Sequence, residues 1–305
     1  MGIHGKGGWV VLAASVVFIC ITLLAAICGA QEPVANERGR VTLPMQPSSD
    51  WNAQLSMGYL PSADLHGTPA SVGISEYRFR LTRNLKLDSS VTLTLGGGYG
   101  LKHLDAPANA GLPQDLHALY AEAGGNWRVN EKVFVTLKLY PGLNSDFKDI
   151  AGSDLRMPVL ALGGYSFDSG VTMVGGFVYR VGYHAAELIP ALGFTYQPNE
   201  RWRVDLIAPR PGLTYIASQQ AHLFVAGDLA SDEYELHDGA LRAKVIKYRD
   251  YKVMGGVEYL PQPAVRLSAA LGYAFGRYFD FYEGNRPSMQ LDDAPFLKLS
   301  LDVGW

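Results

Sequence analysis

The chain has 305 residues, 48% of them hydrophobic, and its formal net charge at pH 7 is −3. This length allows one large domain or two small ones, and the near-neutral charge argues against a nucleic-acid partner. Glycine is frequent at 34 residues, and 17 tyrosines outnumber 12 phenylalanines. Both features fit a β-rich chain whose aromatic side chains lie at a polar boundary.

The N-terminal segment differs in composition from the rest of the chain. Lys6 precedes an uncharged apolar run from Trp9 to Ile27, and small residues follow it. This pattern predicts a secretory signal helix over residues 1–30, cleaved near Ala30. The apolar run is longer than is usual for a signal peptide, so an uncleaved membrane anchor is the alternative.

The cysteines and the polar stretch that follows define the next boundary. Both cysteines, Cys20 and Cys28, lie in the signal segment, and residues 31–50 are polar with several prolines. The chain after residue 30 therefore has no disulfide, thiolate metal site or cysteine nucleophile, which suits export. We interpret residues 31–50 as a polar linker and residues 51–305 as a single domain.

From Trp51 onward the chain repeats runs of about ten residues in which apolar and polar positions alternate. The clearest runs are VTLTLGGGYGL (91–101), KVFVTLKLY (132–140), YKVMGGVEY (251–259) and VRLSAALGYAF (265–275). A period of two predicts strands whose two faces meet different environments. No later apolar run is long enough for a transmembrane helix. Besides helices, only a closed β-barrel can pair all of its backbone polar groups inside lipid.

The breaks between the runs alternate in length. Short breaks lie at 83–90, 129–132, 167–170, 198–201, 217–220 and 261–263, and long ones at 61–72, 102–113, 141–154, 183–187, 208–212, 229–239 and 280–294. Short turns at one end and long loops at the other are typical of bacterial outer-membrane barrels. The pattern predicts an all-β, antiparallel transmembrane barrel of 14 strands, with 12 as the alternative if the hairpin at 201–217 lies outside the wall.

Four tryptophans follow the signal segment: Trp51, Trp127, Trp202 and Trp305. In the 14-strand arrangement all four lie at the end with the short turns. Aromatic residues concentrate at the two membrane interfaces of such barrels. We therefore expect Trp51, Trp127 and Trp202 to belong to a periplasmic girdle.

The last strand has a pattern of its own. Alternate positions are apolar and the chain ends on an aromatic residue: Leu297, Leu299, Leu301, Val303 and Trp305. This resembles the C-terminal insertion signal of bacterial outer-membrane barrels, with tryptophan in place of the usual phenylalanine. The resemblance implies a place in outer-membrane lipid and recognition by periplasmic chaperones and the barrel-assembly machinery.

A broader resemblance covers roughly residues 50–305. The stretches 198–215, 247–277 and 293–305 resemble an uncharacterised family of bacterial outer-membrane barrel domains, one of the domain-of-unknown-function groups. The resemblance implies a barrel. It implies no activity and no cofactor, because the family has no assigned function.

Charged residues of the strands lie on the face opposite the apolar one. On the apolar face, an Arg or Lys near the membrane midplane would cost about 2–4 kcal/mol. The predicted lumen-lining residues are Arg78, Arg80, Lys138, Arg180, Arg203, Asp205, Arg242, Lys244, Lys252, Glu258, Arg266, Lys298 and Asp302. Basic residues outnumber acidic ones, which favours a water-filled lumen selective for anions. The alternative is a salt-bridged interior that fills a narrow barrel.

The sequence predicts no catalytic, metal or cofactor site. His103 and His117 flank one loop without the spacing of a metal site, and Ser218, His222 and Asp205 match no nucleophile motif. The acidic runs at 231–238 and 290–293 are interpreted as solvated loop tips, with cation binding as the alternative.

The sequence thus favours a porin-like passive channel for small, preferentially anionic solutes, and not an enzyme. The first alternative is a closed structural or surface-binding barrel without transport. The second is a conduit for apolar molecules, which would need an apolar interior.

Overall fold

The computed structural model describes residues 49–184, 188–207 and 211–305. The strands are β1 (Trp51–Asp64), β2 (Ser71–Lys86), β3 (Val91–Asp105), β4 (Asp115–Arg128), β5 (Val133–Leu139), β6 (Gly142–Ser145), β7 (Leu155–Ser166), β8 (Val171–Val181), β9 (Leu188–Asn199), β10 (Trp202–Ile207), β11 (Gly212–Ile216), β12 (Ala221–Glu235), β13 (Val245–Gln262), β14 (Val265–Tyr282), β15 (Met289–Leu291) and β16 (Ala294–Gly304). Three short 3-10 helices lie at Ala108–Ala110, Gly152–Asp154 and Gly239–Leu241. The predicted signal helix (1–30) and the linker up to residue 48 lie outside the described residues. Within the described ranges, no helix has the length and apolar character needed to cross a membrane.

The sheet closes into a barrel because its first and last strands pair. β1 and β16 are antiparallel from Asn52↔Gly304 to Tyr59↔Leu297. β5 and β6 make one wall strand, since both lie between β4 and β7, and β15 is a short addition beside β14. The described wall therefore has fourteen antiparallel strands, which include the hairpin of β10 and β11. The prediction of 14 strands is confirmed, and the alternative of 12 is wrong.

Side-chain oxygens stabilise four of the short turns. Asp88, Asn130, Asn199 and Ser218 each accept hydrogen bonds from the backbone N–H groups two and three residues later. Asp, Asn and Ser favour tight turns because their short polar side chains can make these local bonds. The tight turns lie within the predicted short breaks, at the end of the barrel that carries Trp51, Trp127, Trp202 and Trp305.

The outward face of the wall is apolar. Leu95, Leu137, Leu192, Val253 and Leu271 are examples of outward side chains that are exposed at the barrel surface. A continuous exposed apolar surface of this extent is rare on soluble monomers, whereas membrane barrels present it to hydrocarbon. Alternation along each strand thus gives the fold of a transmembrane barrel.

Inward aromatic rings lie close against glycines of neighbouring strands. A methyl group added to Gly164 would lie 1.9 Å from the ring of Phe134, and one added to Gly272 would lie 2.6 Å from the ring of Phe296. Glycine within a strand often marks such a close approach. Some of the high glycine content is therefore explained by packing inside the barrel.

Toward the long-loop end, the inward face changes from charged to apolar. The buried side chains there include Leu60, Val72, Ile74, Leu104, Leu116, Ile246, Tyr248, Phe279 and Leu291. They come from β1–β4 and from β13–β15. Because they point inward and pack together, this core fills the lumen beneath the long loops.

Three elements depart from the predicted pattern. β12 continues to Glu235, so the first half of the predicted loop 229–239 is strand, and β6 lies inside the predicted loop 141–154. The hairpin of β10 and β11 is short, with strands of 6 and 5 residues, whereas β13 and β14 have 18 each. The wall is therefore low on one side and high on the other.

Candidate solute site in the barrel lumen

The barrel encloses a cavity of about 470 Å³, within the range of small-molecule pockets. Its charged lining consists of six cations and three acids: Arg78, Arg80, Lys102, Arg156, Lys252, Lys298, Glu76, Asp228 and Asp232. Tyr120, Tyr140, Tyr183 and Tyr234 add phenol groups to the lining. The cavity thus offers both charged and neutral polar partners to a solute.

Glu122 holds two of the predicted lumen cations. Its carboxylate accepts hydrogen bonds from both Nε and Nη2 of Arg80 at 2.7 Å, and from Nζ of Lys138 at 3.2 Å. The Glu122 side chain is fully buried, whereas Arg80 and Lys138 keep partial contact with solvent. A carboxylate can be buried in this way because charged donors surround it.

A second network joins side chains of β2, β3 and β13. Nζ of Lys102 is 3.2 Å from Glu76, and Nζ of Lys252 lies 3.4 Å from Glu76 and 3.1 Å from Asp250. Lys102, Lys252 and Asp250 are almost completely buried. The lumen is therefore a network of ion pairs, and its basic residues are not surrounded by water alone.

The cation is the more exposed partner in the ion pairs of Arg78, Arg80 and Lys298. The side-chain exposure is 29% for Arg80 against 0% for Glu122, 34% for Lys298 against 11% for Asp228, and 46% for Arg78 against 34% for Asp232. The acid is the more exposed partner in the pairs of Lys102 with Glu76 and Asp232, of Arg156 with Glu235 and of Lys252 with Glu76. Because six cations and three acids line the cavity, the surface that a solute would meet is on balance cationic.

The last part of β12 extends beyond the short strand β11, stays paired with β13, and meets β6 along its other edge across the lumen. We call residues 231–238 the luminal segment. Glu235 pairs in parallel register with Ser145 of β6, and Nδ2 of Asn144 donates to the carbonyl of Glu233 at 3.1 Å. In the wall β12 lies between β11 and β13, almost opposite β6. The luminal segment therefore bridges two opposite sides of the barrel.

The four acidic side chains of the luminal segment all have basic partners. Asp232 meets Arg78 and Lys102, Glu233 meets His184, Glu235 meets Arg156, and Asp238 meets Lys148. The interpretation of this run as a solvated loop tip is therefore wrong. A carboxylate is costly inside a barrel unless a cation compensates it. Strands β2, β3 and β7 and two loops supply these cations.

His237 lies just beyond the end of β12 and contacts two acids of the connection between β6 and β7. Its Nε2 is 2.7 Å from Asp154 Oδ1, and its backbone N–H donates to Asp146. Burial lowers the pKa of His237, but the hydrogen bond with Asp154 and the charges of Asp154, Asp146 and Asp149 outweigh burial and raise the pKa.

A raised folded-state pKa makes this contact pH-dependent. The stabilisation is fully present below the ordinary histidine pKa of about 6.5 and is lost as pH rises through the higher folded-state pKa. We expect His237→Asn to lower the thermal midpoint in detergent at pH 5 by more than at pH 8.5. Equal differences at both pH values would contradict a protonated His237.

A family profile described as a domain of unknown function, DUF6268, matches residues 82–301. The chain belongs to the DUF6268 family. The expected membership of an uncharacterised outer-membrane barrel family is thereby confirmed. None of the curated proteins matches this DUF6268 sequence.

Among solved structures, the DUF6268 barrel is similar to an outer-membrane channel from Pseudomonas putida F1. The TM-score is 0.51 at 11% identity, over 89% of this chain and 99% of that chain. A bacterial polysaccharide outer membrane secretin gives a TM-score of 0.43 at 9% identity, over 85% of this chain and 100% of that chain. The TodX monoaromatic hydrocarbon channel gives a TM-score of 0.42 at 11% identity, over 84% of this chain and 89% of that chain. At this level of identity, the similarity to the Pseudomonas channel concerns the fold.

The predicted lumen residues of the DUF6268 barrel fall into distinct places. Arg78, Arg80, Lys252 and Lys298 line the cavity. Lys138 shares Glu122 with Arg80, and Arg180 donates to the carbonyl of Ser231. Nearer the short turns, Arg203 pairs with Asp205 at 2.8 Å, Arg266 lies 3.9 Å from Glu258, and Asp302 accepts from Gln54 at 2.7 Å. The Arg203–Asp205 and Arg266–Glu258 pairs balance their own charges, whereas the partner of Asp302 is neutral.

Arg242 and Lys244 were placed in a strand by the sequence, and this was wrong. Arg242 follows the 3-10 helix Gly239–Leu241 with a left-handed φ of 56°, and β13 begins only at Val245. Lys244 is exposed and pairs with Glu283 at 3.4 Å. Both residues lie in the connection between β12 and β13, outside the lumen wall.

The sequence missed several residues of the site: Lys102, Glu122, Arg156, Asp228 and Asp250. Lys102 falls in a predicted loop, but β3 continues to Asp105. Glu122 follows Tyr120 at the inward spacing of two, yet the small residues around it weaken the alternation. The inward spacing within β3 and β4 could have identified both residues once the strand ends were known.

The residues considered for catalysis or metal binding have separate partners. Ser218 accepts backbone N–H groups in its turn, Nδ1 of His222 lies 3.6 Å from Glu258, and Asp205 pairs with Arg203. His103 contacts Asp115, and His117 contacts Tyr99. The described residues contain no group of three His, Cys, Asp or Glu side chains placed to hold a metal ion.

The residues of the last strand differ in exposure. Leu297, Leu299 and Trp305 are exposed, whereas Leu301 and Val303 are buried. β16 pairs with β1 on one side and β14 on the other, so this strand completes the closed wall.

Proposed function

We propose that this DUF6268 barrel is an outer-membrane channel, closed in the conformation described, that admits small and preferentially anionic solutes to its lumen. The observation that carries the proposal is the charge of the cavity lining, which has six cations and three acids. A cleft lined by one sign of charge raises the local concentration of ions of the opposite sign. The fold similarity to the Pseudomonas putida channel supports a channel.

A closed barrel without transport is the second candidate. The luminal segment and the apolar core beneath the long loops favour it, because both lie across the path of a solute. The charged cavity argues against the third candidate, a conduit for apolar molecules.

Planar-bilayer recording of the purified, folded protein separates these candidates. With a KCl gradient across the bilayer, we expect discrete current steps and a reversal potential that indicates chloride preference. Arg78→Gln and Lys298→Gln each remove an exposed cavity cation, so each should shift the reversal potential toward cation preference. Protein that migrates as a folded, heat-modifiable band but carries no current would favour the closed barrel.

Lys132→Gln is the matched control for charge removal. Lys132 lies in the short turn between β4 and β5, where it pairs with exposed Asp168 at 2.8 Å. This variant should keep the wild-type reversal potential. If all three variants behaved alike, the cavity cations would not set selectivity and the anion preference would be overturned.

We also propose how the chain reaches the membrane. Residues 1–30 direct export as a signal peptide, and the periplasmic chaperones and assembly machinery recognise the strand that ends on Trp305. Exposed Leu297 and Leu299 support a lipid-facing strand. Removal of Trp305 should reduce the amount of heat-modifiable barrel in outer-membrane fractions.

A further inference from the structure

Asp232 of the luminal segment contacts two cations of the opposite wall. Its Oδ2 lies 3.3 Å from Nη2 of Arg78 in β2 and 3.5 Å from Nζ of Lys102 in β3. Asp232 and Arg78 are both partly exposed, and all three residues line the cavity. The ion pair is therefore at the cavity surface, where a solute can reach it.

We propose that Arg78 and Lys102 form the binding site for the acidic group of the solute, and that Asp232 occupies this site until a carboxylate or phosphate displaces it. The proposal rests on the proposed function and names the solute class and the step that opens the lumen. Arginine and lysine are the side chains that most often bind carboxylate and phosphate groups. Asp232 is itself a carboxylate, so it provides the same chemistry that the solute would provide.

The direction of the other acidic side chains supports this assignment. Glu233 and Glu235 alternate with Asp232 along the strand, so they point to its other face, where they meet His184 and Arg156. Of the acids in β12 beyond Leu229, Asp232 alone lines the cavity. Lys102 also pairs with Glu76 of β2, so Asp232 is the competing carboxylate that the luminal segment supplies.

The competition sets the concentration at which a solute acts. A tethered group has an effective concentration in about the millimolar range. A ligand shifts a two-state equilibrium only as far as its affinities for the two states differ. Here the solute binds Arg78 and Lys102 only after Asp232 has left, so an acidic solute at about millimolar concentration favours the open state.

Asp232→Asn is the decisive variant, because it removes the charge at nearly constant size. Single-channel recordings should be made with inorganic phosphate and with acetate, each from zero to about 10 mM. We expect both probes to raise the open fraction of the wild type. We expect Asp232→Asn to be open about tenfold more often without either probe and to respond to neither. The probe that acts at the lower concentration identifies the preferred acidic group.

Asp280→Asn is the matched control. Asp280 lies in β14 and pairs with Arg249 of β13 at 3.1 Å, an ion pair outside the cavity lining. This variant should respond to both probes as the wild type does. An Asp232→Asn channel with the wild-type open fraction would overturn the displacement proposal. If the wild type still preferred chloride in that case, the proposed function would stand; a wild type without anion preference would overturn that function as well.

Discussion

Glu122→Gln is expected to lower the free energy of unfolding by about 2–4 kcal/mol, because it leaves two cations without their shared acid. Arg80 donates two hydrogen bonds to Glu122, and Lys138 donates a third. Breaking a fully buried ion pair costs about 3–5 kcal/mol, and the partial solvent contact of Arg80 and Lys138 reduces this cost. Urea unfolding in lipid vesicles, followed by tryptophan fluorescence, measures the change.

Asp168→Asn is the control for this measurement. It breaks the ion pair with Lys132, but both side chains are exposed in short turns. Exposed pairs contribute little because water and salt screen them, so we expect no measurable change in the free energy of unfolding. Equal losses for both variants would mean that Glu122 contributes no more than a surface acid.

A disulfide between positions 145 and 235 is expected to hold the lumen closed. Ser145 and Glu235 are paired residues of β6 and β12, on opposite sides of the barrel. After removal of residues 1–30 the chain has no other cysteine, so Ser145→Cys with Glu235→Cys gives one defined cross-link. We expect oxidation to lower the mean current about tenfold or more and dithiothreitol to restore it.

The control is a disulfide within the wall itself. Ser268 and Ser300 are directly paired in β14 and β16, and their hydroxyls are 2.7 Å apart. Ser268→Cys with Ser300→Cys should carry the same current when oxidised and when reduced. If the 145–235 disulfide left the current unchanged, movement of the luminal segment would not open the channel.

Most of the wall could be predicted from the sequence because lipid imposes a simple rule on it. Apolar residues face hydrocarbon at every second position, and Asp88, Asn130, Asn199 and Ser218 mark the turns. The rule acts on each strand locally. Strand number and most turn positions therefore follow from periodicity and turn chemistry.

The lumen could not be predicted in the same way because its order is set by contacts between distant strands. In the luminal segment, acids occupy both faces, at Asp232, Glu233 and Glu235. Such a run cannot face lipid, so local reasoning assigns it to a loop. Its position inside the barrel depends on contacts such as that of Asp232 with Arg78, and these two residues are 154 positions apart along the chain.

The short hairpin of β10 and β11 has a consequence for the surrounding bilayer. Its strands have 6 and 5 residues, whereas about 9–11 are needed to cross the hydrocarbon layer at the usual tilt. Unpaired backbone groups cannot be left in hydrocarbon. We therefore expect the lipid layer to be thinned beside this hairpin, or the barrel axis to lean so that the low side sits in a shallower layer, which is the response to hydrophobic mismatch.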